Sequence, residues 1–150
     1  MAKSKTKHSV VVDVPVRTVY NQWTQFEEFP KFMEGVERVI QDGPDRVYWK
    51  VNVAGRTIEY NAAITEQIPD RKIAWTSIAG RDTGGEVEFE PIGPNQTRVT
   101  LDLRYAPEGV LESVADLAGV VSARTRNDLD HFKTFIEQRG TETGGWRGKI

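Results

Sequence analysis

From Val36 to Tyr105, apolar and polar residues alternate in short runs, and each run is closed by a Gly, Pro, Asn or Asp turn. A period of two marks a strand with one buried face. The breaks fall at Gly43-Pro44-Asp45, Ala54-Gly55-Arg56, Pro69-Asp70-Arg71, Gly80 to Gly85, and Gly93-Pro94-Asn95, which predicts six strands in a meander. From Glu86 to Glu90 every even position is an acid, and from Arg98 to Tyr105 every odd position is apolar or aromatic, so one face is wet and the other dry. The dry row includes Val47, Trp49, Val51, Ile58, Tyr60, Trp75, Val87, Phe89, Leu101, Leu103 and Tyr105, and it contains no acid, base or thiol.

Ahead of the meander, the β-branched run from His8 to Val14 predicts a further strand. Pro15 suits a first helical turn, and Val16, Val19, Tyr20 and Trp23 then recur on one face of a short helix. Thr24 and Glu27 have capping-box spacing, and Pro30 prevents a long continuation, so a second very short helix is expected. After the meander, a single long helix is predicted from near Pro107 to Gly140. At about 100° per residue, Leu111, Val114, Ala118, Val121, Thr125, Leu129, Phe132 and Ile136 fall in one narrow stripe, with Thr125 its only polar member. That stripe would lie on the concave face of the curved sheet and leave a space between them. Gly119 is a candidate kink, and with the Gly80 to Gly85 loop it would frame the mouth of that space. The predicted organisation is a flexible tail over residues 1–7, one domain over residues 8–140, and a Gly-rich tail over residues 141–150 that carries Trp146.

Composition narrows the function classes. A chain of 150 residues suits one domain. Lys plus Arg number 20 against 22 for Asp plus Glu, a net charge of −2, so no basic field favours nucleic acid. Lys3, Lys5 and Lys7 form the one local cluster. With no Cys and two distant His, neither a disulfide nor a metal centre is expected. No apolar run approaches the roughly 20 residues of a membrane span, and Met1 to His8 lacks the apolar stretch of a secretory signal. A cytoplasmic location and no membrane insertion are therefore expected.

Signatures of catalysis are missing: there is no GxSxG, no GxxxxGK[ST] and no HExxH, and the Gly80 to Gly85 stretch joins two strands instead of opening a helix. His8 is expected at a strand edge and His131 on the solvent side of the long helix. The groups left to act in a dry space are Tyr60, Tyr105, Trp49, Trp75, Ser77 and Thr125, which suit recognition of a carbonyl or hydroxyl better than proton transfer. Arg124 is expected to pair with Asp128 on the helix surface; a quarter-turn roll would make it the leading electrophilic group. The predicted ligand-binding set is Trp49, Val51, Tyr60, Trp75, Phe89, Leu101 and Tyr105 from the sheet, with Ala118, Val121 and Thr125 from the helix. No cofactor is expected.

The segments Val10 to Pro15, Val19 to Trp23 and Phe26 to Val36, with Gly84 to Phe89, Thr97 to Leu101 and Tyr105 to Gly109, resemble the START-like polyketide cyclase/dehydrase and lipid-transport family. The resemblance spans roughly residues 8–139. It implies an α+β helix-grip fold: a seven-stranded curved antiparallel sheet, two short helices and one long C-terminal helix. It also implies a cavity for a hydrophobic small molecule such as a lipid, an isoprenoid quinone or an aromatic polyketide. Polyketide cyclase or dehydratase activity is the alternative, and a ribosome- or protein-interaction module a lesser one.

Overall fold

Strands that alternate between a dry and a wet face pair edge to edge until the dry face can be covered, and here seven do so. The computed structural model describes residues 4–53, 55–80, 83–105 and 114–150. The strands are β1 (Ser4–Val12), β2 (Val36–Gln41), β3 (Arg46–Val53), β4 (Arg56–Ile68), β5 (Lys72–Gly80), β6 (Thr83–Gly93) and β7 (Gln96–Tyr105). They form one antiparallel sheet in the order β1-β7-β6-β5-β4-β3-β2. The six-strand meander is as predicted, and β1 returns to close beside β7. Helix α1 (Val16–Trp23) and a 3₁₀ helix (Phe26–Lys31) follow β1, and helix α2 (Val114–Arg139) ends the fold.

The core is where the helices meet the dry face. Leu129, Phe132 and Ile136 of the predicted stripe are buried among Val12, Trp23, Phe29, Phe32, Val99 and Leu101. Rings lock this end: Trp23 lies 5.2 Å from Phe132, and Phe32 lies 5.1 Å from Phe132, centroid to centroid. Helix α2 continues unbroken through Gly119 and stops at Gly140, whose φ is 70°. The expected start near Pro107, and Leu111 with it, lies outside the described residues.

Two local expectations are corrected, and β4 carries an irregularity. The first strand runs from Ser4 to Val12, not from His8 to Val14, because Ser4 to Val12 pair continuously with Tyr105 to Thr97. Part of the expected N-terminal tail is therefore an edge strand, with Thr6 buried and Lys7 exposed. The capping box does not form: the Thr24 hydroxyl donates back to the Asn21 carbonyl at 2.6 Å, while Glu27 accepts the Gln41 N–H at 3.1 Å. In β4 the register shifts between Ile64 and Glu66, so Gln67 and not Glu66 faces inward, 1% exposed.

The C-terminal segment after Gly140 is a strap. Gln67 and Ile150 exchange both backbone hydrogen bonds at 3.0 Å. The Gln22 amide donates to the Thr143 hydroxyl at 3.0 Å and accepts the Thr143 N–H at 2.9 Å, and Thr24 accepts the Trp146 N–H at 3.0 Å. Arg147 donates to Asn21 and to Asp70, each at 2.8 Å, and stacks over the Tyr20 ring. This accounts for the burial of Asn21 and Gln22 on α1 and of Thr24 at its C-terminal end, beside apolar buried neighbours: buried polar groups persist when hydrogen-bonded.

Candidate functional site

Trp49 of β3 stands directly across from Tyr60 of β4, and both point to the dry face. Their rings stack at 5.9 Å with 13° between planes, and Trp75 of β5 also stacks with Trp49 at 6.3 Å and 23°. Three neighbouring strands thus present a cluster of near-parallel aromatic rings. Opposite it, α2 presents Val121, Arg124, Thr125 and Asp128. Between them lies a cavity of about 160 Å³, bounded further by Trp23, Phe29 and Met33 at one end and by Leu101 and Leu103 along the sheet.

Of the ten predicted ligand-binding residues, Trp49, Val51, Tyr60, Trp75, Leu101, Val121 and Thr125 line this space. Phe89 does not. Its ring packs edge-on against Tyr20 at 5.3 Å and against Trp23 at 6.4 Å, because α1 covers that part of β6. The side chains of Tyr105 and Ala118 lie outside the described residues. Thr125 contributes its methyl side more than its hydroxyl, which donates to the Val121 carbonyl at 2.7 Å. Ser77 accepts the Thr83 N–H at 3.1 Å at the β5–β6 turn and is absent from the lining.

The polar chemistry comes from the helix. Arg124 is half-buried, donates through Nη1 to the Asn52 carbonyl, and lies against Gly35, where any Cβ would collide with its guanidinium. Asp128 is 8% exposed and accepts the Glu34 N–H at 3.3 Å. Burial pushes its pKa up to about 7; the Glu34 N–H and the charges of Arg124 and His131 oppose that rise, and the Glu34 carboxylate adds to it. The expectation of a surface pair is therefore corrected: both side chains turn to the cavity. Asp128 was legible in principle, since it falls only about 20° outside the apolar stripe at 100° per residue.

The remaining polar groups are quieter. Burial pushes the Tyr60 phenol upward, so it stays neutral and can donate a hydrogen bond. The indole nitrogens of Trp23 and Trp49 are buried without a partner among the described residues, and both residues line the cavity. His8 ties β1 to α2 through Ser122 at 2.8 Å, and His131 is exposed on α2. No helix among the described residues is long and apolar enough to cross a membrane.

A curved sheet gripping one long helix is shared with known proteins. The family described as polyketide cyclase / dehydrase and lipid transport matches residues 12–134. The chain belongs to this family. Its fold is the START-like helix grip. A relative from Streptomyces lincolnensis, described as an uncharacterized 17.2 kDa protein in the melC2-rnhH intergenic region, is 48% identical over 148 residues, covering 98% of this chain and 99% of its own. Among solved structures, DR_A0006 from Deinococcus radiodurans has a TM-score of 0.73 at 26% identity, covering 91% of this chain and 98% of its own. Zhui aromatase/cyclase from Streptomyces sp. R1128 has a TM-score of 0.78 at 18% identity, covering 97% of this chain and 100% of its own. At that identity the likeness is one of fold.

Proposed function

We propose that this protein binds a hydrophobic small molecule in the cavity between the sheet and α2. The observation that carries this reading is the aromatic wall of Tyr60, Trp49 and Trp75 facing unfilled space, where core residues would normally interlock at crystal-like density. Leaving such space unfilled costs stability, and burial of an apolar occupant offsets that cost. The family's description, which joins cyclase/dehydrase and lipid transport, supports the same reading. Mass spectrometry of organic extracts from protein purified out of its native host tests it. A stoichiometric hydrophobic species is expected; a clean extract, together with no saturable uptake of any apolar probe, would sink the reading.

Asp128 favours a second reading, dehydration of a β-hydroxyketone, to which the family name and the likeness to an aromatase/cyclase also lend support. With a pKa near neutrality, Asp128 exists in both forms at working pH, as a proton shuttle requires. Its carboxylate would take the α-proton and leave an enolate facing the Arg124 guanidinium. The enolate would then re-form the carbonyl and make the new C=C bond, expelling the β-hydroxyl, which leaves as water with the proton returned by Asp128. The net change is loss of one water. Asp128→Asn should lose turnover of such a substrate while still binding it; full activity in that variant would exclude the shuttle.

A further inference from the structure

The size of the cavity and the placement of its charge restrict the occupant more tightly than apolar character does. An engineered cavity of about 150 Å³ takes one benzene ring, and this one measures about 160 Å³. At one end the rings of Trp23 and Phe29 are locked among Phe26, Phe32 and Phe132, so a guest gains no further length in that direction. The sheet side offers three near-parallel rings, Trp49 with Tyr60 and Trp49 with Trp75, and such rings favour an aromatic guest in offset or edge-on contact. At the helix side the one cation in the lining among the described residues is Arg124, held over Gly35 and anchored by the Asn52 carbonyl. A guanidinium is a planar fork of donors that matches a carboxylate.

We propose that the cavity accepts a one-ring aromatic acid, its ring among Trp49, Tyr60 and Trp75 and its carboxylate on Arg124. This rests on the ligand-binding reading above and narrows it. The charge pattern agrees. Asp128 also borders the cavity, and the groups facing it are Glu34 from the loop before β2 and Arg124 and His131 from α2 itself. When Asp128 is protonated, Arg124 stands as an uncompensated cation in a low-dielectric wall and attracts an anion; when Asp128 ionises, its own negative charge competes with the guest. Since burial places that ionisation at about pH 7, guest affinity should be level below this pH and fall above it. One proton linked to one site gives a limiting slope of about tenfold per pH unit.

The test is a calorimetric titration of the intact protein with benzoate, benzamide, toluene and palmitate between pH 5.5 and 9, with pH points chosen to bracket about 7. Benzoate is expected to bind at least about tenfold more tightly than toluene at the acid end, a gap of one charged hydrogen bond. Its affinity should weaken above neutrality, whereas benzamide should show no pH dependence. Asp128→Asn should flatten the benzoate profile, His131→Gln should keep the fall but move it to higher pH because one charge that favours the Asp128 carboxylate is gone, and Arg124→Gln should remove the preference for benzoate over toluene. If palmitate binds more tightly than benzoate, or benzoate affinity in the unaltered protein is flat across the range, the aromatic-acid proposal falls while the hydrophobic-ligand reading stands. If none of the four binds, the aromatic-acid proposal falls, and the hydrophobic-ligand reading falls with it when the native extract is also clean.

Discussion

Asp128 is the residue at which burial and charge are most at odds. Its carboxyl has only the Glu34 N–H and the nearby Arg124 and His131 charges to set against loss of water, and the balance leaves its pKa raised from 3.8 to about 7. The native state therefore holds a proton on Asp128 that the unfolded chain has already released between those two values. Stability should be greatest below the unfolded value and decline as pH rises toward about 7, by up to roughly 4 kcal/mol at 1.36 kcal/mol per unit. Asp128→Asn keeps an acceptor for the Glu34 N–H and removes the titration, so urea midpoints of wild type and variant should converge at acid pH and separate at pH 8, the variant being the more stable there. Parallel midpoints at every pH would mean that Asp128 is solvated. Sequence reading missed this residue because a helical wheel sorts positions by chemistry, and an acid beside the stripe is assigned to water. The clue was Gly35: Arg124 can lie over the loop only because residue 35 has no side chain, and such a contact between distant positions leaves no periodic signature.

At the level of elements, the strands were legible and their irregularities were not. Turn residues at five places and strict alternation in β6 and β7 set the meander, since a one-residue slip would turn the whole dry row to solvent. The shift within β4 and the extension of β1 to Ser4 depend on what the neighbouring strand offers, which no local pattern records. The strap was the larger omission. Its Gly-rich composition reads as loose chain, yet Gly145 sits where a Cβ would come within 2.9 Å of the Asn21 side chain and Gly144 where one would come within 2.7 Å of Gln25. The glycines permit close approach to α1. A side chain at 145 should lift the strap and leave the Gln22 amide without Thr143, an unsatisfied buried group that costs about 1–3 kcal/mol. Gly145→Val is accordingly expected to lower the melting temperature by several degrees, at roughly 2–4 °C per kcal/mol for a chain of this size. It should also speed hydrogen exchange at the Gln67 and Ile150 amides. Unchanged exchange at both would show that the strap holds without this contact.

On the scale of the whole molecule, one sheet and one helix enclose two unlike halves. Toward the C-terminal end of α2, the rings of Trp23, Phe29, Phe32 and Phe132 interlock, and that half carries stability. Toward Val121 the same sheet faces a cavity of about 160 Å³, and that half carries the candidate site. The inner row predicted which residues face inward but not which would meet a partner: Phe89 lies on that row and is packed against α1, while Trp75 lies on it and borders open space. The difference is decided by where α1 crosses, a tertiary fact. Substitutions in the two halves should therefore separate stability from binding. Phe132→Ala removes a fully buried ring and should cost about 3–5 kcal/mol. Val121→Trp fills existing space from the helix side and should change stability by no more than about 1–3 kcal/mol, the range for overpacking, while displacing the guest. Denaturation curves and probe binding on the two proteins decide the matter. If Val121→Trp retains full affinity for an apolar probe, the bound molecule lies elsewhere, and the aromatic wall is only a loosely packed part of the core.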